Sequence, residues 1–376
     1  MRATIVTETY FPQVNGVSRT LGQLVRVLRA EGNHVQLVHP QYGEPATDSV
    51  HLVRARSLPF YKELHLPLPP FGSTWRAIDA FRPDIVHIAT EATLGLATLH
   101  YCRRREIPTV SSFHTNFDMY ADHYRVGFIR PTIWRYLRWF HNRTLATFVP
   151  SRATIADLEA RGFERLELWP RGVDATVFRP DRPGRERVRG ALGFGPDDVV
   201  IGHVSRIAAE KNVGYLGAAL EKVAEIRPSA KVLIVGDGPA RPELERRLPG
   251  ARFVGYKTGE DLADHYAAAD LFAFASRTET FGNVILEAMA SGLPVVAVAE
   301  GGPIDIVDEG VTGHLVAPGA GVSAFVDALV RLVDDGLSRR AMAASARAYA
   351  ERQSWDAIMH RLGARYAEIL KSSRGE

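Results

Sequence analysis

The most constraining feature of this sequence is an alternation, present in both halves, of short apolar runs with segments that carry apolar residues at helical spacing. Short apolar runs bounded by turn residues are typical of buried parallel strands, and strand–helix alternation predicts a parallel sheet covered by helices. We therefore expect an α/β fold whose first half is doubly wound. Its predicted strands span residues 3–7, 34–39, 85–88, 109–112 and 145–149, with helices over 17–30 and 93–105.

The alternation stops at a proline-rich stretch and then starts again. Residues 168–183 carry three prolines and Gly172, a composition typical of an interdomain connection. A chain of 376 residues is also too long for one ordinary core, so we predict two doubly wound domains, 1–172 and 173–354. The second is predicted from strands at 199–204, 231–235, 271–275 and 294–299, helices at 213–226 and 283–290, and a helical tail from 323 that is broken near 335 and 354.

Composition limits the chemistry that this chain can perform. Its single cysteine, Cys102, excludes an internal disulfide and cysteine-rich metal sites, and we expect it to fill the core on a helix. The formal charge of +3 indicates no particular partner. Glu8 and Pro12 interrupt any signal-like apolar run, and no run approaches the ~20 residues of a membrane span. We therefore expect a cytoplasmic protein that can still touch the inner face of a membrane.

Ligands of open parallel sheets bind at the carboxyl ends of the strands, and the strongest local signal lies in such a loop. The segment Thr-Glu-Thr-Phe-Gly-Asn-Val-Ile-Leu-Glu, which begins at Thr278, places Glu279 on the loop and Glu287 about one turn inside the next helix. Two carboxylates there can accept hydrogen bonds from vicinal sugar hydroxyls, and the helix start offers N–H groups to a phosphate. The alternative is a surface helix whose acidic start stabilises its own dipole.

Two cations follow the strand predicted at 199–204. Arg206 and Lys211 stand at its carboxyl edge, where positive charge can neutralise a pyrophosphate and stabilise the charge that develops as a nucleoside diphosphate departs. Arginine can also bind two oxygens at once. The alternative is a solvated loop in which Glu210 is the salt-bridge partner.

Three further turns can either carry a ligand or only shape the chain. Asn15 and Gly16 follow the first strand, and glycine lets a backbone approach a diphosphate closely, although a tight turn explains the pair equally well. His114, after the strand at 109–112, can bond a sugar hydroxyl or assist proton transfer, although a lone histidine is more often structural. The Glu-Gly-Gly-Pro turn at 300–303 opens the next helix, and its glycines either admit a ligand closely or simply make the turn.

Several nucleotide- and metal-binding motifs do not occur in this sequence. There is no phosphate-binding Gly-x-x-x-x-Gly-Lys-Ser/Thr run, and the Gly-Asp-Gly-Pro run at 236–239 has Arg241 where a dinucleotide fingerprint needs its third glycine. No Asp-x-Asp triplet is present to hold a divalent ion on a diphosphate. We therefore expect Arg206, Lys211 and helix dipoles to hold any departing diphosphate, with no metal and no other cofactor.

Taken together, these residues resemble family four of the retaining glycosyltransferases, which have the GT-B fold. The resemblance covers almost the whole chain, and its most specific part is the pair Glu279 and Glu287 followed by Ala-Met-Ala-Ser-Gly-Leu-Pro-Val-Val. It implies two Rossmann-like domains that face each other across a cleft: an acceptor domain, completed by a C-terminal helix at about 355–376, and a nucleotide-sugar donor domain. Agreement also appears in Asn15-Gly16-Val17, in Arg206 with Lys211, in the Val-Gly-Asp-Gly-Pro run at 235–239, and in the hinge at 172–180.

The resemblance also implies roles for individual residues. Glu279 would contact the donor sugar and Glu287 the ribose, while Arg206 and Lys211 would hold the diphosphate. Front-face attack, in which a phosphate oxygen takes the acceptor's proton, explains why no general base is evident; Glu279 as a covalent nucleophile is less favoured. The other donor contacts implied are His114 at the sugar, Asn15 and Gly16 at the diphosphate, Phe281, Gly282 and Asn283 through loop amides, Gly238, and Tyr256 near the base.

The first half most resembles bacterial members that glycosylate lipids, including mannosyltransferases and sulfoquinovosyl diacylglycerol synthases. This implies GDP-mannose or a UDP-hexose as donor and a lipid or glycan as acceptor, although the run at 113–116 varies between subgroups and leaves the acceptor open. Residues 123–143 support a lipid independently, because arginines alternate with aromatic residues and no acidic residue interrupts them. The alternative is a core-facing helix with a basic solvent side. The predicted membrane or acceptor surface consists of Arg130, Trp134, Arg135, Arg138 and Trp139.

Three other classes of protein compete with this interpretation. A nucleotide-sugar epimerase of similar fold needs no acceptor and leaves the Glu279 and Glu287 pair unexplained. A non-catalytic sugar-binding protein predicts export, for which the sequence offers no signal. A nucleic-acid binder would use residues 123–143 but leave the carboxylates idle. We therefore expect transfer of a hexose from a nucleotide-diphosphate sugar, with no nucleic-acid partner.

Overall fold

The computed structural model describes residues 1–13, 15–42, 49–58, 61–114 and 130–374. The chain divides into two compact units. The first comprises Met1–Arg171 and Trp355–Glu376, and the second comprises Gly172–Ser354. Each unit has its own sheet and its own hydrophobic clusters.

The first unit contains a seven-stranded parallel sheet in the order β3-β2-β1-β6-β7-β8-β9 and a separate antiparallel pair, β4-β5. Each sheet strand is short, and the central ones are buried along their whole length, as expected for a sheet covered on both faces. The strands are β1 Arg2–Val6, β2 His34–Pro40, β3 Val50–Val53, β4 Ala55–Leu58, β5 Tyr61–Pro67, β6 Ile85–Ile88, β7 Thr109–Ser112, β8 Thr147–Val149 and β9 Leu166–Leu168.

The second unit contains a six-stranded parallel sheet in the order β12-β11-β10-β13-β14-β15. Hydrophobic clusters pack on it, one around Phe272 and Phe274 and another around Ile201 and Ile234. Alternate residues of a strand face opposite sides, so the two clusters show that helices cover both faces. The strands are β10 Val200–Val204, β11 Lys231–Val235, β12 Arg252–Phe253, β13 Leu271–Phe274, β14 Val295–Val298 and β15 Gly313–Val316.

The described helices connect these strands. Cys102, predicted to fill the core on a helix, is fully buried on the third of them. They are α1 Gly16–Ala30, α2 Gly72–Phe81, α3 Thr93–Arg104, α4 Arg130–His141, α5 Arg152–Ala160, α6 Gly184–Leu192, α7 Val213–Ile226, α8 Arg241–Arg247, α9 Gly259–Ala268, α10 Asn283–Ala290, α11 Pro303–Ile306, α12 Gly321–Asp334, α13 Gly336–Glu351 and α14 Trp355–Arg374. Among the described residues, none of the helices is both long and apolar enough to cross a lipid bilayer.

The last helix, α14, packs into the first unit. Its residues Met359, Leu362 and Tyr366 share a hydrophobic cluster with Leu24 and Leu28 of α1. A methyl group at Gly363 would lie 3.1 Å from Leu28, so the glycine lets the two helices approach closely. The final segment of the sequence therefore completes a core that the first residues begin.

Six strands were not predicted from the sequence: the antiparallel pair β4 and β5, and the two edges of each parallel sheet, which are β3, β9, β12 and β15. Edge strands keep one side open and need no continuous apolar run, and β9 has no buried residue. The helices of the tail agree with the predicted breaks, since α12 ends at Asp334 and α14 begins at Trp355. Interior strands are thus readable from an apolar run, whereas edges are not.

Each sheet has a point where the strand order reverses. In the second unit β10 lies between β11 and β13, so the loops after β10 and β13 leave neighbouring strands at the same edge. In the first unit the corresponding strands are β1 and β6. In open α/β sheets such a switch point is where ligands bind.

Candidate active site

The switch point of the second sheet brings together two of the predicted site residues. Lys211 lies on the loop after β10, Glu279 lies on the loop after β13, and Nζ of Lys211 donates to Oε1 of Glu279. The side chains are 22% and 20% exposed. The pair is therefore open enough to water for either group to exchange its partner for a ligand.

Side-chain bonds tie these two loops to each other. The Thr278 hydroxyl donates to the Glu210 carbonyl at 2.9 Å, and the Asn212 amide donates to the Ala275 carbonyl at 3.1 Å. Asn212 adopts a left-handed conformation with φ of 54°, which asparagine tolerates better than most residues. The ion pair thus stands on two loops that are held in register.

Arg206 lies on the same loop as Lys211 but is much more exposed. Its side chain is 63% exposed, and its Nη1 lies 3.4 Å from Oε1 of Glu210. This is the partner considered as the alternative in the sequence analysis. Exposed pairs of this kind contribute little to stability, so the arginine is held only loosely at the switch point.

The Gly-Asp-Gly-Pro turn after β11 supports the Arg206 loop. Gly236 and Gly238 have φ of 129° and 156°, and a Cβ at Gly238 would lie 2.3 Å from the carbonyl oxygen of Ile207. The Ile207 N–H donates to the Asp237 carbonyl at 2.9 Å. Gly238, predicted as a donor contact, therefore packs its backbone directly against the loop that carries Arg206.

The Glu-Gly-Gly-Pro turn supports the Glu279 loop in the same way. The Gly302 N–H donates to the Glu279 carbonyl at 2.8 Å. A Cβ at Gly301 would lie 2.4 Å from that carbonyl, and one at Gly302 would lie 1.9 Å from the Phe281 carbonyl. These glycines are needed for close backbone packing, a role that the sequence analysis left open between ligand entry and turn formation.

The loop ends where α10 begins. Gly282 caps the helix with φ of 99°, a conformation that favours glycine, and the Phe281 ring is buried in the core of the second unit. Oδ1 of Asn283 is buried without a hydrogen-bond partner. Unpaired buried acceptors are rare, and this one lies in the first turn of α10, four residues after Glu279 in the sequence.

Glu287 lies in the second turn of α10 and is largely buried. The Tyr266 hydroxyl donates to its Oε2 at 3.0 Å and lies 3.2 Å from the Val284 carbonyl. Tyr266 was not identified from the sequence, since it lies inside a helix with no motif around it. The Glu287 carboxylate is therefore oriented from one side by a phenol.

Tyr256, predicted near a nucleotide base, is 68% exposed. It follows Gly255, whose carbonyl accepts the N–H of Gly236 at 2.8 Å. A backbone hydrogen bond thus connects the Tyr256 loop to the Gly236 turn, and the Tyr256 ring is open to solvent.

Asn15 and Gly16 form the start of α1 in the first unit. Oδ1 of Asn15 accepts from the Ser18 N–H at 2.9 Å and caps the helix, and Gly16 is the first, exposed helical residue. Gly16 has no positive φ, so the pair is a helix cap and not a left-handed turn. A capped helix start at the end of β1 still presents N–H groups that suit an anion.

His114 lies just beyond β7 and remains partly exposed. Its Nδ1 is 3.0 Å from Nη2 of Arg171, and its Nε2 is 2.8 Å from Oγ of Ser112. Desolvation, reinforced by the charge of Arg171, lowers the pKa of His114 well below its ordinary value. Arg171 was missed from the sequence, because it lies within the proline-rich stretch 168–183, which was interpreted only as an interdomain connection.

Glu8 is a further buried group that sequence reasoning missed. It follows β1, and its Oε1 accepts the Leu94 N–H at 2.7 Å while its Oε2 accepts the Ala92 N–H at 3.0 Å. Burial raises the pKa of Glu8, although the bonds from Leu94 and Gly95 oppose that shift. Glu8 thus caps α3 from across the switch point of the first sheet.

The predicted membrane surface divides into an inner and an outer side. Trp134 packs near Phe113 and Phe163, and Trp139 packs near His100. Arg135 and Arg138 are exposed, whereas the side chain of Arg130 and residues 115–129 lie outside the described residues. The helix thus has aromatic residues toward the core and a basic outer side, which is the alternative arrangement considered above.

Two hollows lie on α3 of the first unit. One, of about 290 Å³, is lined by residues that include Arg103 and Trp139. The other, of about 550 Å³, is lined mostly by apolar and aromatic residues such as Trp75 and Leu96. His100 and Arg104 line both hollows.

A protein metal site needs several liganding side chains close together. Within the described residues, no three His, Cys, Asp or Glu side chains lie close enough together to hold a metal ion. Sugar transfer without a metal ion stays a prediction. It requires the cations at the switch point, Arg206 and Lys211, to neutralise the diphosphate in place of a metal.

Comparison with known proteins assigns both halves to described families. Residues 14–177 match the family described as Glycosyltransferase Family 4, and residues 198–335 match the family described as Glycosyl transferases group 1. The GDP-mannose-dependent alpha-mannosyltransferase of Mycobacterium tuberculosis is 34% identical, over 98% of this chain and 97% of that protein. The sulfoquinovosyl transferase of Arabidopsis thaliana is 33% identical, over 94% of this chain and 71% of that protein.

A third relative and a solved structure extend the comparison. The alpha-monoglucosyldiacylglycerol synthase of Streptococcus pneumoniae is 29% identical, over 79% of this chain and 71% of that protein. The crystal structure of Anabaena HepE in complex with UDP has a TM-score of 0.79 at 19% identity and covers 98% of this chain and 100% of that one. At that identity the structural likeness establishes the fold and nothing further.

Proposed function

Because this chain belongs to the glycosyltransferases of family 4 and group 1, with the GT-B fold, we propose that it moves a hexose from a nucleotide-diphosphate sugar to an acceptor hydroxyl with retention of configuration. The observation that carries this proposal is the Lys211 and Glu279 ion pair at the switch point of the second sheet. It places a cation for a diphosphate and a carboxylate for a sugar on two loops that are tied to each other.

The ion pair can open when the donor binds, because each of its two side chains then gains a new partner from the donor. A diphosphate gives Lys211 a stronger anionic partner, and the hexose hydroxyls then donate to the released Glu279. Because each member gains a new partner, neither charge is left unpaired when the ion pair separates. Arg206, which is held loosely by Glu210, adds a second cation to the departing diphosphate, where such charges stabilise a transition state.

The remaining donor contacts are assigned to backbone N–H groups at helix starts, to Glu287 and to the loops that carry Gly238 and Tyr256. The Phe281, Gly282 and Asn283 segment offers N–H groups at the start of α10, a favourable place for oxygen ligands. We assign the ribose to Glu287, oriented by Tyr266. Gly16 at the α1 start is assigned to the diphosphate, and Tyr256 and Gly238 lie on the loops that we assign to the nucleoside.

The chemical step needs no metal and no separate base. The acceptor oxygen forms a bond to the anomeric carbon on the face from which the diphosphate leaves, and the bond from that carbon to the diphosphate oxygen breaks. The acceptor proton passes to the departing diphosphate. Arg206 and Lys211 hold its negative charge, while His114 donates a hydrogen bond to a hydroxyl of the hexose.

GDP-mannose is the donor that the relatives favour, since the mannosyltransferase aligned over 98% of this chain is named as dependent on it. A thermal-shift panel tests this choice, because a ligand that binds only the native state stabilises it by about 2.7 kcal/mol at one hundred times its Kd. We expect GDP-mannose to raise the unfolding temperature by several degrees and free mannose to leave it unchanged. No shift with any nucleotide sugar, or an epimer formed from labelled donor without acceptor, would contradict the proposal.

For the acceptor we propose a membrane lipid. A relative is named as a synthase of a glucosyl diacylglycerol, and the outer side of α4 carries Arg135 and Arg138 without an acidic residue. The hollows on α3 add Arg103 and Arg104 beside apolar side chains, a combination that suits anionic headgroups and acyl chains. We therefore place the protein at the cytoplasmic face of the membrane, where it binds peripherally.

Replacing Arg135 and Arg138 by glutamine is expected to weaken association with vesicles that contain anionic lipid. Each basic side chain near an anionic surface contributes about 1 kcal/mol, so the partition coefficient should fall by about tenfold or more, measured by co-sedimentation at low salt. Hydrolysis of the donor in the absence of lipid should not change. The matched control replaces Arg246 and Arg352, two exposed arginines of the second unit. Equal pelleting of both double variants would show that the basic side of α4 faces solvent and does not bind a membrane.

A further inference from the structure

A chain of buried polar side chains runs through the first unit and ends at His114. Oη of Tyr366 in α14 lies 2.5 Å from Nδ1 of His87, and Nε2 of His87 lies 2.8 Å from Oγ of Ser112. The same Oγ lies 2.8 Å from Nε2 of His114, and Nη2 of Arg171 lies 3.0 Å from its Nδ1. Side chains from distant parts of the sequence thus converge on one imidazole.

Arg171 fixes the direction of hydrogen bonding at this ring. A guanidinium group carries only donors, so Nδ1 of His114 is the acceptor and bears no hydrogen. In the neutral ring the hydrogen is then on Nε2, which donates to Oγ of Ser112. The opposite tautomer would set two N–H groups against each other.

Arg171 itself lies in an unfavourable place for a cation. It is 6% exposed, its Nη1 donates to the Trp169 carbonyl at 2.6 Å, and its Cζ lies 4.8 Å from the centre of the Trp169 ring. Within the described part of the chain, its hydrogen-bond acceptors are two carbonyls and His114, with no carboxylate. A buried charge without an anion costs stability. Packing alone therefore does not account for an arginine here.

We propose that Arg171 is a positioning residue that fixes His114 as a neutral ring with its hydrogen on Nε2, so that this N–H is the donor offered to a hydroxyl of the transferred hexose. The proposal rests on the function assigned above to His114. Ser112 can release the N–H to the sugar because Nε2 of His87 still lies 2.8 Å from its Oγ. His114 then acts through orientation and takes up no proton.

The described groups around this ring favour its neutral form. Arg171 faces it from the chain after β9, His87 from β6 and His141 from α4, and each opposes a further positive charge. Trp169 packs against it with ring centres 5.6 Å apart. Burial lowers the pKa of Arg171 only to about 9, so the guanidinium stays charged at neutral pH. Of the two roles considered for His114, a sugar contact and proton transfer, the geometry favours the contact.

NMR of the imidazole tests the proposal directly. Histidine is labelled with 15N, and long-range 1H–15N spectra are recorded between about pH 5 and pH 8, the range in which ordinary histidines titrate. The His114→Gln variant assigns the resonance. We expect the wild type to show a bare Nδ1 and a protonated Nε2 throughout. Arg171→Met should show a mixture of the two neutral tautomers without titration, because burial remains and still lowers the pKa of His114. Arg171→Lys, which retains a charged donor, should restore the wild-type pattern.

Kinetics supply the second readout. We expect Arg171→Met to raise the KM for the donor roughly tenfold, as for one lost oriented hydrogen bond, and Arg171→Lys to recover most of it. An unchanged His114 spectrum in Arg171→Met overturns the proposal, even if that variant is less stable. If Arg171→Met fails to fold, the His114 tautomer is measured in Ser112→Ala and in Arg171→Lys. Both variants should keep the hydrogen on Nε2, and its loss from Nε2 in either variant overturns the proposal. Full activity in His114→Gln would refute the assigned role of His114 and leave the tautomer result standing.

Discussion

Replacement of Glu279 by glutamine is expected to lower turnover by about a hundredfold or more while donor affinity changes little. The loss follows because one well-placed electrostatic contact to the reacting centre is worth about that factor. Donor affinity is retained because Glu279 is paired with Lys211 and competes with the diphosphate for it. Removing the carboxylate leaves Lys211 available to the diphosphate. Steady-state kinetics with GDP-mannose and calorimetric titration of the donor measure the two effects separately.

Lys211→Met should behave differently from Glu279→Gln. It removes a cation from the diphosphate and also leaves Glu279 without its partner, so both the donor KM and turnover should worsen. The effects of the two substitutions should not add, because residues in direct contact share one interaction. Glu221→Gln is the matched control, since it breaks an exposed ion pair with Arg247 in the same unit and should leave kinetics unchanged. Full turnover in Glu279→Gln, or additive losses in the double variant, would contradict this account of the ion pair.

Gly302→Ala is expected to lower both stability and turnover, although it adds only one methyl group. The new Cβ would lie 1.9 Å from the Phe281 carbonyl oxygen, so the loop that carries Glu279 must shift. Forced overpacking of this kind costs about 1–3 kcal/mol, and a 1 Å displacement of a catalytic group can cost a hundredfold in rate. We expect the unfolding temperature to fall by several degrees. At temperatures where the variant is still folded, its turnover should be about tenfold or more below that of the wild type.

Gly214→Ala controls for the general effect of replacing a glycine. Gly214 lies in α7 on the same unit, and a Cβ there would meet nothing within 4 Å. Alanine stabilises a helix relative to glycine by up to about 1 kcal/mol, so this variant should be fully active and slightly more stable. Wild-type melting and turnover in Gly302→Ala would show that the turn does not position the Glu279 loop.

Interior strands of the two sheets could be predicted from the sequence, whereas their edge strands could not. Buried strands such as β6 and β13 could be predicted because a strand covered on both faces must be apolar along its length. The edge strands β3, β9, β12 and β15 could not, since half of each is open and its pattern is that of a loop. Glu279, Lys211 and Arg206 were found because parallel strands place their following loops at one edge, a rule that needs only strand positions.

Other features depended on contacts that sequence spacing does not encode. Arg171 stands 57 positions after His114, and Tyr366 stands 279 positions after His87, so no local motif announces either bond. The aromatic residues of α4 could have faced lipid or core on periodicity alone, and the structure packs Trp134 near Phe163. The roles assigned to the donor-binding residues remain predictions for the experiments described above.

The sequence by itself determined the α/β alternation, its division near Gly172 and the loops from which the candidate site is built. These depend on apolar period and turn chemistry, which are local properties. Only the tertiary structure decided that Lys211 pairs with Glu279, that the turns at Gly238 and Gly302 are packed against the loops they support, and that Arg171 lies within hydrogen-bonding distance of His114. Those depend on which backbones and side chains come within a few ångströms of each other, and that is set by strand order and by the packing of a whole unit.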